Sequence, residues 1–312
     1  MGINEFFSSI FTTNFLAMTL RLSTPILLAS MASFVASTTG ISNTAIESIM
    51  TLSALFGILG SYWSQSAIVG ILVGIAMGIL VSLIIAFFSM KLGASVSLIG
   101  IALNTFSGPL AIFFLYQFTG NKGTSASLAS PTIGNWDIPF IKDIPILGEI
   151  ISGHYILTYV SWLLAIILFI IIFKTPLGMR MRAIGLSEST AETAGVNVNK
   201  LRLLSIILSG ILAALGGTFL SLNYSKIFSS NMVSGQGWMG IAASGIARGS
   251  YPALMIATFA FSIFRAISVV FIGTDFPSEL ITAVPYIAVF VGMSAIAIIE
   301  TYKRKKGNVA EK

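Results

Sequence analysis

Between Ala67 and Phe88 the chain reads AIVGILVGIAMGILVSLIIAFF, with no charged residue in it. As one α-helix, about 20 such residues cross a hydrocarbon core about 30 Å thick, and a helix satisfies its own backbone polar groups there. The runs ILTYVSWLLAIILFIIIF and LLSIILSGILAALGGTFL repeat the pattern. With 55% apolar and 9% charged residues and a mean hydropathy of +0.94, the chain lies outside the soluble range. The expected fold is an all-α polytopic membrane protein, one transmembrane domain over 1–312. The spans read as 3–19, 20–37, 41–62, 66–89, 95–118, 154–174, 201–222, 229–247, 250–272 and 277–300. That makes ten, or nine if 3–19 lies in the interface. The N-terminus has neither a basic n-region nor a small-residue cleavage site, so it is not read as a cleaved signal.

The charges set the topology. Lys and Arg collect in cytoplasmic loops. The bases concentrate in the tail (Lys303, Arg304, Lys305, Lys306) and in a polar insert between two apolar runs (Arg180, Arg182, Lys200, Arg202). Both are therefore expected inside, with Lys91 and Arg248, and the C-terminus is cytoplasmic. A net charge of +6 placed this way is a topology signal and not a nucleic-acid footprint. The connection 119–153, with Asp137, Asp143 and Glu149 against Lys122 and Lys142, falls outside the cell. Segments 20–118 and 201–300 share a layout: a long helix, a broken Gly/Ser-rich segment, then two long helices. They run in opposite directions, an inverted repeat that points to a solute path near the midplane.

Enzyme chemistry has little to stand on. The chain has no cysteine and one histidine, His154. It has no phosphate-binding loop, no multi-histidine metal set and no acid–base cluster. Charges within spans are Glu47, Arg265, Glu279 and Glu300. Glu47 reads either as a path-lining acid or as a helix-start carboxylate stabilised by the dipole. Arg265 could pair with Glu279, and His154 reads as an interfacial residue. Asn43, Asn104, Gln236, Trp238 and Ser244, with Glu47, are the candidates for lining a path. They could equally tie helices together.

The insert GMRMRAIGLSESTAETAGVN is longer than a turn requires. It reads as a short helix capped near Ser187 and ended at Gly195. With its flanks it resembles the cytoplasmic segment of the permease subunits of ABC importers, in the family serving simple sugars, nucleosides and branched-chain amino acids. Thr175, Gly178, Arg182, Ala183, Gly185, Ala191, Gly195 and Val196 match that family's pattern. Gly40, Asn43 and Glu47, then Asn104, then GQGWMGIAASGIARG extend the resemblance, which is strongest to nucleoside permeases. Leu186 and Glu188 stand where the family often has an acidic residue and a proline, and Ser48 where it has glycine.

The resemblance implies a coupling segment at 175–200, with Gly178, Arg180, Arg182, Ala183, Gly185, Glu188, Ala191, Glu192 and Gly195 as candidate residues. It implies a cytoplasmic ABC ATPase that holds ATP and Mg, with no cofactor or metal on this chain. It further implies a second, different permease chain, an external substrate-binding lipoprotein or periplasmic protein, and a bacterial cell membrane around the complex. A nucleoside is the expected solute, with a simple sugar or branched-chain amino acid as alternatives. An ion-coupled secondary transporter is the rival of another class.

Overall fold

The computed structural model describes residues 12–139, 144, 146–271, 287, 290–292 and 294. Among them seven helical segments are long and apolar enough to cross a membrane. The chain is an all-α polytopic membrane protein. Helix α1 is Thr13–Ser37, α2 Ile46–Ser64, α3 Ala67–Leu92 and α4 Val96–Thr119. After a long connection containing β1 (Asn135–Trp136), α5 (Leu147–Ile151) and β2 (His154–Tyr155) comes α6, Ile156–Lys174. The insert holds α7 (Pro176–Leu186) and α8 (Glu188–Thr193). Helix α9 (Val198–Thr218) runs on as a π-helical stretch, Phe219–Tyr224, followed by α10 (Gln236–Ala247) and α11 (Tyr251–Phe271).

Two expected spans are corrected. No break falls between 19 and 20, because α1 runs through both positions. Arg21, which looks like a boundary residue, is carried inside the helix. Its guanidinium donates to His154 Nδ1 at 3.2 Å and to the Gly153 carbonyl at 3.3 Å. The expected span 229–247 is a helix only over Gln236–Ala247, 12 residues, about 18 Å of rise and too short to cross. The span 277–300, Glu279, Glu300 and the basic tail lie outside the described residues, apart from a few positions near 290.

Helices α1, α2 and α9 are buried over most of their length, whereas α3, α4 and α6 are buried over a third or less. The outer helices turn Ile68, Leu72, Leu98, Phe113 and Ile166 outward, a contiguous apolar surface suited to lipid. Helix α3 meets the centre through Gly70, Gly74 and Gly78, one face at four-residue spacing. A methyl at Gly70 would lie 2.6 Å from the Gly57 carbonyl oxygen of α2, and one at Gly78 2.6 Å from that of Gly210 on α9. Only hydrogen lets these backbones approach so closely.

The connection 120–155 is sewn to one end of the bundle. The Ser125 N–H donates to the Phe228 carbonyl at 2.9 Å, and Ser61 Oγ donates to that of Pro131 at 2.6 Å. Strands β1 and β2 pair antiparallel. Thr13 Oγ1 donates to the Glu149 carboxylate. His154, fully buried, bonds the Ile150 carbonyl through Nε2 at 2.7 Å while Nδ1 accepts from Arg21. Its ring meets Tyr159 and Trp162 edge-on. It is thus a buried fastener of the connection to α1, not an exposed interfacial residue.

Burial, and secondarily the Arg21 charge, hold the His154 pKa below its ordinary 6.5 against the opposing pull of the Ile150 carbonyl. Its contribution is therefore complete above about pH 6.5. It declines as pH falls toward the folded value, because the unfolded chain takes up the proton first. The protection factors of the amides at 147–155, with the pH dependence of intrinsic exchange divided out, should fall between about pH 6.5 and 5 in the wild type. In His154→Gln that pH dependence should vanish. Equal acid sensitivity in both proteins would refute this role.

Candidate functional site

Two helix N-termini begin inside the bundle. Their first N–H groups have no partner within their own helix, and side chains satisfy several of them. Helix α2 follows a break at 38–45, and its N-cap residue, Ala45, supplies no side-chain bond. Asn104 of α4 fills the gap: its Oδ1 accepts the Ser48 N–H at 2.9 Å, and its Nδ2 donates to the Thr44 carbonyl at 2.8 Å. Asn43 Oδ1 accepts the Ala45 N–H at 3.1 Å, and Nδ2 donates to Ser209 Oγ on α9 at 2.9 Å.

From the first turn of α2, the Glu47 carboxylate reaches the N-terminus of α10. Oε1 accepts the Gly235 N–H at 2.7 Å and Oε2 the Gly237 N–H at 2.8 Å. Gly235 takes a left-handed φ of +76° to turn the chain there. A methyl on Gly237 would lie 2.7 Å from the carboxylate. Both readings of Glu47 thus bear on one atom group: it is a helix-start carboxylate, but for a helix distant in sequence. Trp238, 41% exposed, stands beside it on the open side. Gln236 is buried, and its Oε1 has no hydrogen-bond partner.

Of the six path candidates, five gather around these N-termini: Asn43, Glu47, Asn104, Gln236 and Trp238. Ser244 lies two turns along α10, beside a cavity of about 480 Å³ shared with Thr38, Arg182, Gly185 and Arg248. Arg265 is half-buried on α11, and among the described residues its Nε meets no hydrogen-bond partner. Glu279, its expected partner, lies outside the described residues.

The insert is two helices rather than one. Thr175 caps α7, accepting the Gly178 N–H at 3.4 Å, with Pro176 in the first turn. Ser187 interrupts and caps α8 in the same way, accepting the Thr190 N–H at 3.4 Å. Gly195, at φ +79°, closes it. Ile184, Ala191 and Val198 form a small separate core beneath, with Val196 and Leu201 against it. Gly185 lies on the break of α1 and α2, where a methyl would be 2.5 Å from the Thr38 carbonyl oxygen. Gly178 presses on the backbone of Ile171 and Ile172.

Arg182 turns inward, its guanidinium 4.9 Å from the centre of the Phe173 ring. Glu188 is taken by Arg202 of α9 in a two-pronged pair at 2.6 and 2.8 Å. Facing outward are Arg180, Ala183, Glu192, Met179 and above all Leu186, 89% exposed. Sequence reasoning missed Arg21, Gly235, Gly237 and the Arg202 partnership. The glycines carried a visible signal, SGQG ahead of an apolar run. The pairing across 14 residues carried none.

A bundle of membrane-crossing helices, with two helix N-termini inside it and an ordered two-helix insert at one end, is an architecture suited to a transport permease. The family model for the branched-chain amino acid transport system permease component matches residues 15–298, and the chain belongs to this family. It is 28% identical over 278 residues to the nucleoside ABC transporter permease protein NupC of Lactococcus lactis, covering 85% of this chain and 86% of that one. It is 27% identical over 287 residues to the guanosine ABC transporter permease protein NupQ of Bacillus subtilis, covering 88% and 89%. A putative glucose ABC transporter permease of Haloferax volcanii is 25% identical, covering 82% and 77%. Among solved structures, PsaBC from Streptococcus pneumoniae superposes with a TM-score of 0.54 at 16% identity, covering 93% of this chain and 95% of that one. A putative metal-chelate type ABC transporter in an inward-facing conformation gives 0.50 at 17%, covering 94% and 88%. These two likenesses bear on the fold alone.

Removing the Glu47 carboxylate strands two buried N–H groups, each costing about 1–3 kcal/mol. Glu47→Ala should lower the melting temperature of the detergent-solubilised protein markedly, and Glu47→Gln, which keeps one acceptor, should lower it less. An Ala variant that melts like the wild type would refute the capping role.

Proposed function

We propose that this chain forms the translocation path of an ATP-driven importer for a nucleoside or a related small polar solute. The observation that carries the proposal is the insert: an ordered, separately cored pair of helices presenting Leu186 and Met179 bare beside Arg180 and Glu192. A large apolar side chain held out this far is suited to a socket on another protein. A cytoplasmic ATPase supplies that socket and binds the ATP and Mg²⁺. The end of the bundle bearing α7, α8, Lys91 and Arg248 then faces the cytoplasm, the C-terminus lies on that side, and the connection 119–153 faces out. A second permease chain and an external binding protein complete the assembly. Segments 20–118 and 201–300 act as inverted halves, each with a helix that starts inside the membrane.

For the solute, support comes from NupC and NupQ, whose names specify nucleosides and whose match runs over most of both chains. The cluster at Glu47 supplies compatible chemistry. Trp238 offers an aromatic face for a flat, uncharged molecule. The helix N-termini that could hold an amino-acid carboxylate are already filled by Glu47, Asn43 and Asn104. That favours a nucleoside over a branched-chain amino acid.

The test is uptake by cells carrying the whole transporter, with labelled guanosine, glucose and leucine in parallel. Guanosine uptake should depend on ATP and survive an ionophore. Uptake that survives ATP depletion and collapses with the ionophore would favour a secondary transporter, and preferred uptake of glucose or leucine would displace the nucleoside. Leu186→Asp should reduce uptake and solute-stimulated ATP hydrolysis about tenfold or more while leaving membrane insertion intact. Wild-type values for both would remove the insert from the docking role.

A further inference from the structure

Helix α9 carries Arg202, Ser205 and Ser209 on one face, at positions i, i+3 and i+7. Each bonds a different part of the molecule. Arg202 holds Glu188 of α8 through both carboxylate oxygens. The Ser205 and Thr39 hydroxyls bond at 2.7 Å. Ser209 Oγ accepts from Asn43 at 2.9 Å. Ser205 also donates to the Arg202 carbonyl at 2.8 Å, closing the first step to the second. Thr39, Asn43, Ser205 and Ser209 are all buried.

The partners on the far side are consecutive too. Thr39 and Asn43 belong to the break between α1 and α2, one turn apart, so rungs 39–205 and 43–209 keep the same offset. Two residues beyond Ala45, whose N–H Asn43 accepts, comes Glu47, which holds α10. A seam of hydrogen-bonded rungs, joined by the backbone between them, thus runs from the insert, along α9, to both internal helix N-termini. The insert touches the same break from below, where Gly185 lies on Thr38.

We propose that this seam couples movement of α8 to the solute path, with Arg202 as the positioning residue that receives it. The inference rests on the importer reading above and deepens it. Glu188 is then not a contact for the ATPase but the strut by which the docked insert pulls on α9. The guanidinium has room to follow, since Arg202 borders a cavity of about 460 Å³ with Gly40, Ser42 and Asn199. The pair is partly exposed, 26% and 49% on its two side chains, so it adds little to stability. Its loss should therefore appear in coupling and not in folding. Deeper along the seam the bonds are dry, and a displacement at one rung cannot be absorbed by water at the next.

The experiment uses the intact transporter in proteoliposomes, with guanosine as solute, measuring solute imported per ATP hydrolysed. Arg202→Glu and Glu188→Arg alone should each lower that ratio about fivefold or more. The double exchange, which restores an opposite-charge pair, should recover most of it, something a merely structural role for either residue would not produce. Ser205→Ala with Ser209→Ala should lower the ratio in protein that still inserts and folds, with a lower melting temperature because Asn43 Nδ2 loses its buried acceptor. Wild-type ratios in the single reversals, reversals that the exchange fails to rescue, or a wild-type ratio in the double alanine variant would each overturn the seam. If the wild-type assembly imports solute without hydrolysing ATP, the importer reading falls instead, and that failure is visible before any variant is made.

Discussion

An unfilled helix N-terminus is among the costliest things a membrane protein can contain, and this molecule has two inside its bundle. Most of the architecture around them follows from that fact. Helix α10 can start partway through because the Glu47 carboxylate is brought to its first N–H groups. Glu47 can be there because α2 itself starts inside, and α2 can start inside because Asn104 and Asn43 satisfy its own opening turn. The chain of dependence continues into α9, which receives Asn43. Each broken helix is stable only as part of the set, so a short helix too weak to stand alone becomes a fixed element of the fold.

This dependence gives the cluster a double character. On the proposed function, the groups that hold the helices are also the groups a polar solute meets. Asn43 is spent wholly on structure, with both ends of its amide engaged. Asn104 is engaged as fully but lies on a half-exposed helix, and Trp238 is committed to nothing beyond its own helix. A solute path built this way offers one aromatic face and few free bonding groups, which suits weak binding of a molecule that must also leave. Affinity is better placed in an external binding protein, and driving force in the ATPase, than in this chain.

Much of this was legible in the sequence, because period and length speak directly where water is excluded. The long apolar helices, the breaks near Gly40 and Gly235, the Ser187 cap and the Gly195 stop are all written in local residues. What failed was non-local. The spans 3–19 and 20–37 put a boundary inside what is one helix, and that helix carries Arg21, whose guanidinium is received far along the chain by Gly153 and His154. His154 read as an interfacial residue for the same reason. The pairing of Glu188 with Arg202 was also invisible, because nothing between positions 188 and 202 announces that they meet. Residues near Glu47 could be nominated from type alone, but their division into cap, tie and open face required the fold.

The glycines of α3 have a mechanical consequence. Interlocked side chains make a helix interface behave like a ratchet, because movement along it forces rotamers out of their wells. At Gly70 and Gly78 the backbone of α3 closes on the carbonyls of Gly57 and Gly210, and the side chains that reach in are few and mostly small: Ser61, Ala214 and, at Gly74, Thr218. Shear of α3 along α2 and α9 by a fraction of a turn would trade one smooth contact for another. If the bundle must alternate between two openings, this is where it is lubricated, and a single added methyl there would act as a brake.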